Sequence, residues 1–122
     1  MIYEKDLCDL IIKCAFEVYN ILGNGYLEKV YENALTEELK RNNIISQSQV
    51  PIKVIYKNTV VGDYFADIIV DKKVIVELKH TNSINEKHIA QLLNYLKATN
   101  INIGYIINFG DDHKLIFKRY VL

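Results

Sequence analysis

Apolar residues recur at helical spacing in two N-terminal segments of the chain. The first segment runs from about Glu4 to Leu22 and ends at Gly23, a residue typical of a helix C-terminus. The second begins after Gly25 and extends to about Lys40. Because the connection between them is short, the pattern predicts two helices packed as a hairpin. The predicted buried stripe of the second helix is Leu27, Tyr31, Ala34, Leu35 and Leu39.

Alternation of apolar and polar residues then replaces helical spacing over three segments, 49–57, 60–70 and 74–80. Such alternation is typical of strands with one face toward a core. Pro51 near the start of the first segment predicts an edge strand, because proline lacks the backbone N–H that a central strand needs. Turns are expected at Asn58-Thr59 and at Asp71-Lys72-Lys73, so the pattern predicts a three-strand meander.

Helical spacing returns in NEKHIAQLLNYLKATN, with Ser83 or Asn85 as the candidate N-cap. Two further strands, INIGYIINFG and LIFKRYV, follow this helix. A helix between the third and fourth strands brings the fourth beside the third and parallel to it by a right-handed crossover. The expected fold is therefore α/β, or α+β, with a mixed sheet and helices against it. The apolar seam of this third helix is Ile89, Leu92, Leu93 and Leu96.

Composition indicates one domain over residues 1–122. Half of the residues are hydrophobic and only one is proline, which leaves little room for linkers. The net charge is zero, so any anionic partner must be held by a local patch. The N-terminal residues carry too many charges for a signal peptide, and no apolar run approaches membrane-spanning length. We expect a cytoplasmic protein without membrane contact, with Cys8 and Cys14 as small buried residues.

The predicted third strand carries two opposite charges on one face. Alternation places Glu77 and Lys79 on the face opposite to Val74, Val76 and Leu78. Charged groups in a core strand must be paired with each other, bind a metal or reach water. The stretch therefore predicts either a buried ion pair or a functional site.

Asp67 on the preceding strand joins these charges only in one register. Directly opposed residues share a face, so a pairing of Asp67 with Glu77 requires Val70 to oppose Val74 across a three-residue loop. A two-residue loop would instead oppose Asp67 to Leu78 and turn its carboxylate to the other face, unless a bulge intervened.

In the productive register, two carboxylates and an ammonium group crowd one patch of the sheet. Two like charges about 4 Å apart repel by roughly 4 kcal/mol at an effective dielectric of 20, and Lys79 offsets only part of this. Mg²⁺ or Mn²⁺ would relieve the conflict, because both prefer oxygen ligands and bind substrate phosphates. Lys79 is then the candidate to activate water or to stabilise charge in the transition state.

Two other elements carry candidate site residues. Gln91 and Tyr95 lie four apart on the third helix and therefore share a face, and Glu28 lies in the first turn of the second helix. Each has a simpler explanation. Gln91 and Tyr95 also fit the polar boundary of an amphipathic helix, and Glu28 also fits a solvated acid favoured by the helix dipole.

The stretch GYLEKVY, Gly25 to Tyr31, resembles the signature of the GxxExxY protein family, and the similarity covers almost the whole chain. That family in turn resembles the PD-(D/E)XK nuclease superfamily, whose restriction-endonuclease-like core is helix, three strands, helix, strand. An N-terminal helical hairpin precedes that core here. The resemblance implies a Mg²⁺- or Mn²⁺-dependent nuclease acting on DNA or RNA, although a shared fold can host other functions.

By that resemblance, Asp67 in YFADIIV and Glu77 in VIVELKH are metal ligands. Glu28 is the additional helical acid, assisting as a ligand or base. The Q-x-x-x-Y helix corresponds to Gln91 and Tyr95, and Lys79 completes the E-x-K motif. The proline that often precedes the aspartate is Ala66 here, a departure at a position that supplies no ligand atom.

Two alternatives to a nuclease remain open. A non-catalytic nucleic-acid- or protein-binding module is favoured by the zero net charge and by only two arginines. A purely structural ion pair explains Glu77 and Lys79 but not the other candidates. Cleavage of both strands of a duplex would require two copies, so a homodimer is possible. Candidate phosphate contacts are Lys72, Lys73, Lys87, Lys97, Lys118 and Arg119, most of which also fit a solvated surface.

Overall fold

The computed structural model describes residues 4–122. Its first two elements are α1 (Lys5–Leu22) and α2 (Glu28–Arg41), which pack together as the predicted hairpin. Gly23 ends α1 with a φ of 69°, and its N–H donates to the Tyr19 carbonyl at 2.8 Å. A left-handed φ of this kind is what makes glycine the preferred residue at a helix end.

The remaining elements form one mixed sheet and a crossover helix. They are β1 (Ser46–Tyr56), β2 (Thr59–Val70), β3 (Val74–Lys79), α3 (Glu86–Thr99), β4 (Ile103–Asn108) and β5 (Ile116–Val121). The strand order follows the chain from β1 to β5, and every neighbouring pair is antiparallel except β3 with β4. The predicted fold class, strand order and parallel crossover are confirmed. No helix within residues 4–122 is long and apolar enough to cross a membrane.

The turn between β1 and β2 lies one residue earlier than predicted. Lys57 and Asn58 form it with φ values of 48° and 66°, and Thr59 already pairs with Tyr56. Two successive left-handed residues match the right-handed twist of a hairpin, and asparagine adopts this conformation more readily than threonine. The sequence prediction therefore included Asn58 correctly but placed the turn one residue too late.

The sheet has a separate core on each face. One face packs against α1 and α2 through residues such as Ile11, Leu35 and Val76, and the other packs against α3 through residues such as Ile75 and Leu92. The alternation predicted for β3 is confirmed, because Val74, Val76 and Leu78 lie on the α1–α2 side. The prediction for Leu27 is wrong. It lies just before α2 in extended backbone and its side chain is 78% exposed.

Candidate active site

The loop between β2 and β3 sets the predicted register. Val70 pairs with Val74 across a three-residue loop, and the ladder continues through Ile69–Ile75 and Ile68–Val76. This confirms the register on which the sequence hypothesis depended. The backbone pairing between the two strands ends at Ile68–Val76, whereas β3 stays paired with β4 through Lys79.

Beyond that point, the carboxylates of Asp67 and Glu77 replace the backbone ladder. The Asp67 N–H donates to Glu77 Oε2 at 2.7 Å, and the Leu78 N–H donates to Asp67 Oδ2 at 2.8 Å. The two acids therefore lie in a fork between the diverging strands. Within residues 4–122, Asp67 Oδ1 and Glu77 Oε1 accept no hydrogen bond and are not sealed from solvent. Each carboxylate thus keeps one oxygen for another partner.

Burial disfavours the charged form of both acids, and at Glu77 the charge of Asp67 adds to this effect. Glu77 is only 4% exposed, and burial, followed by the charge of Asp67, raises its pKa to about 8. Burial also raises the pKa of Asp67, although the Leu78 N–H and the charge of Lys79 act against this. No salt bridge joins Glu77 to Lys79 in the described part of the chain. The alternative of a structural ion pair is therefore not what the structure contains.

Tyr31 fixes the loop that precedes Glu28. Its hydroxyl donates to the Gly23 carbonyl at 2.5 Å and accepts from the Tyr26 N–H at 3.2 Å. Its fully buried ring stacks on Phe109 with centroids 4.4 Å apart. The glutamate and tyrosine of the G-x-x-E-x-x-Y segment therefore have different roles, because the tyrosine holds the loop and the glutamate faces the end of β3.

His80, the residue after β3, ties Glu28 to that strand. The His80 N–H donates to Glu28 Oε2 at 3.3 Å. The His80 ring stacks on Tyr31 at 6.1 Å, and its Nε2 hydrogen-bonds the Asn24 carbonyl. The exposed acid at the start of α2 is thereby held next to the residue that follows Lys79.

Glu28 lies near the other two acids without contacting them. Its charge raises the pKa of both Asp67 and Glu77, though less than burial does. Within residues 4–122, no three acidic, histidine or cysteine side chains are grouped closely enough to form a ready-made metal site. The predicted pairing of Asp67 with Glu77 is present as a contact, whereas the predicted three-acid ligand set with Glu28 stays a prediction.

Helix α3 brings Gln91 and Tyr95 to the same region. Gln91 Nε2 donates to Tyr95 Oη at 2.8 Å, as their spacing allows. Tyr95 is 3% exposed, and burial, then the charges of Glu77 and Asp67, raises its pKa. Asn85 is the N-cap of this helix, which settles the choice between Asn85 and Ser83.

The sequence reasoning missed a fourth acid, Glu32. It is 4% exposed, accepts from Gln49 Nε2 at 2.7 Å and pairs with Lys29 at 2.7 Å. Its charge raises the pKa of Asp67. Glu32 follows Glu28 by four residues and therefore shares its helix face, so the spacing itself was an available signal.

Most of the other predicted phosphate contacts lie outside the Asp67–Glu77 fork. Lys72 and Lys73 lie in the loop at the opposite end of β3, and Lys73 is 3.7 Å from the carboxylates of Glu4 and Asp71. Lys118 and Arg119 lie on the edge strand β5. Of this group, Lys97 on α3 lines a groove between that helix and the β1–β2 hairpin.

The chemistry of the fork fits a hard divalent cation. The donors are carboxylate oxygens, one from each acid is uncommitted, and the charge of Asp67 raises the pKa of Glu77, a repulsion that a cation would relieve. No thiol or histidine ligand takes part in this pair. Oxygen donors of this kind favour Mg²⁺ or Mn²⁺ over softer metals.

Family comparison identifies the class. A model described as the PD-(D/E)XK nuclease superfamily matches residues 5–120, and the chain belongs to that superfamily. The crystal structure of a protein named SSO0001 is similar, with a TM-score of 0.59 and 22% identity over 98% of this chain. The match covers 59% of that protein and establishes the shared fold. A search of curated proteins found no significant match.

Proposed function

We propose that this protein is a phosphodiester hydrolase that uses Mg²⁺ or Mn²⁺ to cleave nucleic acid. The observation that carries the proposal is the Asp67–Glu77 fork, in which each carboxylate bonds the neighbouring strand and keeps one free oxygen. Membership of a nuclease superfamily supports the same substrate class. The segment Gly25 to Tyr31 supports a finer assignment to the GxxExxY proteins.

The chain's own residues have separable roles in this proposal. Asp67 and Glu77 bind the cation, with Glu28 assisting as a third ligand or as a base. When bound, the cation supplies Lewis-acid stabilisation of charge on the phosphate and acidifies water. Lys79 follows Glu77 by two residues on β3, and its ammonium group donates to the phosphate or orients the attacking water. Gln91, held by Tyr95, positions the same water.

The test is cleavage of labelled single-stranded DNA, duplex DNA and RNA in the presence of Mn²⁺. We expect Lys79→Ala to lower the rate on the order of a hundredfold, as removal of one transition-state donor does elsewhere. Lys40→Ala is the matched control, because Lys40 is an exposed lysine at the end of α2 remote from Glu28. Identical traces for wild type and Lys79→Ala would overturn the enzymatic proposal.

The same assay evaluates the non-catalytic alternative. A wild-type protein that binds oligonucleotides but cleaves none of them with either cation would be a binding module built on a nuclease fold. The zero net charge of the chain favours this alternative slightly. The fork does not, because burying the Glu77 carboxylate beside Asp67 costs stability that a simple binding surface would not require.

A further inference from the structure

A groove of about 620 Å³ lies between the β1–β2 hairpin and the C-terminal half of α3. On the hairpin side it is lined by Lys53, Val54, Ile55 and Tyr64, and on the helix side by Asn94, Lys97 and Ala98. Its volume is within the range of ligand-binding sites in proteins. None of these residues has a role in the proposed active site.

The groove lies next to Tyr95 of α3 through its lining residue Tyr64. The ring of Tyr64 lies 5.8 Å from the ring of Tyr95, centroid to centroid. Tyr95 is buried and close enough to Glu77 and Asp67 for their charges to act on it. One ring contact therefore separates the groove from a residue that lies near the two acids.

The polar lining of the groove is cationic. Lys53 and Lys97 form no salt bridge with any described residue, and the lining includes no acid. Tyr64 pairs with Ile52 and Lys53 pairs with Asp63, so strand alternation turns the Lys53 side chain to the face of the hairpin opposite to Tyr64. Lys97 therefore supplies the ammonium group on the Tyr64 side, and a cation together with an exposed aromatic ring suits an anion with planar groups.

The Tyr64 ring occupies space that is free because Gly62 has no side chain. A Cβ atom at Gly62 would lie 2.9 Å from Tyr64 Cε2 and 3.2 Å from Val54 Cβ. The Tyr64 side chain packs along the hairpin at this glycine while the residue remains 45% exposed. The ring is thus both held in place and accessible, which is what a stacking platform requires.

We propose that this groove binds single-stranded nucleic acid, with a base stacked on Tyr64 and a phosphate contacted by Lys97. In a duplex, both faces of each base are already covered by neighbouring pairs, so an exposed ring gains nothing. A single lysine in a chain of zero net charge also gives little of the long-range attraction on which duplex binding depends. The idea that the bound strand continues to the fork for cleavage rests on the proposed function, whereas binding itself does not.

The experiment measures binding by fluorescence anisotropy with short labelled oligothymidylate, oligouridylate and a mixed-sequence duplex. EDTA is present throughout, so that cleavage cannot affect the result. We expect both single strands to bind more tightly than the duplex. Tyr64→Ala should weaken single-strand binding on the order of tenfold to a hundredfold, since a stacked base contributes about 1–3 kcal/mol. Tyr64→Phe keeps the ring and should bind like wild type.

The dependence of binding affinity on salt concentration distinguishes the contribution of the Tyr64 ring from that of the lysine. Lys97→Ala should lower the slope of log affinity against log salt by about 0.7, the value for one phosphate contact on a single strand. Tyr64→Ala should leave that slope unchanged, and the Lys40→Ala control should change neither slope nor affinity. Unchanged single-strand affinity in a folded Tyr64→Ala protein would refute this proposal. Tighter binding of the wild-type protein to the duplex than to the single strands would also refute it. Groove-dependent binding without cleavage in Mn²⁺ would support the groove and refute the nuclease.

Discussion

The Asp67 carboxylate accepts a hydrogen bond from the Leu78 N–H and is also a proposed metal ligand. A conservative substitution separates these two roles. Asp67→Asn keeps an oxygen for the Leu78 N–H but removes the charge that repels Glu77. We expect the metal-free protein to keep its stability within about 1 kcal/mol. The variant should lose the stabilisation by Mn²⁺, which for wild type is about 2.7 kcal/mol at 100 times the dissociation constant.

Thermal melts with and without Mn²⁺ measure both effects of this substitution. Asp63→Asn is the matched control, because Asp63 is an exposed acid on the same strand. If the control lost the Mn²⁺ effect while Asp67→Asn retained it, the ligand assignment would be wrong.

Tyr31 offers a second test at the level of one atom. Tyr31→Phe preserves the stacking on Phe109 but removes the hydroxyl that bonds Gly23 and the Tyr26 N–H. We expect unfolding in urea to become easier by about 1–3 kcal/mol, because partly buried backbone groups lose their partner. Tyr26→Phe, at a side chain that is 49% exposed, should be nearly neutral. Equal effects of the two substitutions would contradict a clamping role for Tyr31.

Spacing along the sequence predicted the site residues that share a face of a single helix or strand. Glu77 and Lys79 follow from strand alternation, and Gln91 with Tyr95 follows from helical spacing. Glu32 was missed because its contact with Gln49 joins elements far apart in sequence, and the contact of His80 with Asn24 is of the same kind. No periodicity reports such contacts, although the i, i+4 relation to Glu28 could have drawn attention to Glu32.

Helix α3 depends on its N-cap for the placement of two site residues. The Asn85 side chain accepts from the His88 N–H, and His88 Nδ1 accepts from the Asn85 N–H. Asn85→Ala should therefore destabilise the protein by about 1 kcal/mol. Ser83→Ala is a close control, since Ser83 contributes only its backbone carbonyl, to the Thr81 hydroxyl. Chemical denaturation measures the free energy of unfolding of the two variants. Equal values would show that the Asn85 cap contributes little.

The strands were predictable as elements but not in their irregularities. Ala66 packs in the α3-side core and Ile68 in the α1–α2-side core, although residues two apart share a face in a regular strand. The alternation therefore changes across Asp67, opposite a left-handed Gln49 with φ 52°. A left-handed glutamine inside a strand has no sequence signal, and the side chain of Gln49 hydrogen-bonds Glu32 on α2, an element apart from the strand. The distortion occurs where the fork opens.

In the whole molecule, the sheet supports both cores and the site. Strands β3 and β4 are buried on both faces, and the charged residues of β3 are confined to its C-terminal end. Close packing between α3 and β4 is possible because Gly104 has no side chain; a Cβ there would lie 2.7 Å from Leu92 Cδ1. The helix that carries Gln91 and Tyr95 is thus seated directly on the strand next to Glu77.

A shared sheet means that neither core can melt without exposing the other, so we propose that residues 1–122 fold as one domain. Leu35 and Leu96 are both fully buried but lie in different cores. Leu35→Ala and Leu96→Ala should each cost about 2–5 kcal/mol and lower the same transition. Far-UV circular dichroism and tyrosine fluorescence should trace coincident curves for both variants. Two separated transitions in either variant would mean that each face of the sheet folds as its own unit, and the site between them would then be stabilised only by their association.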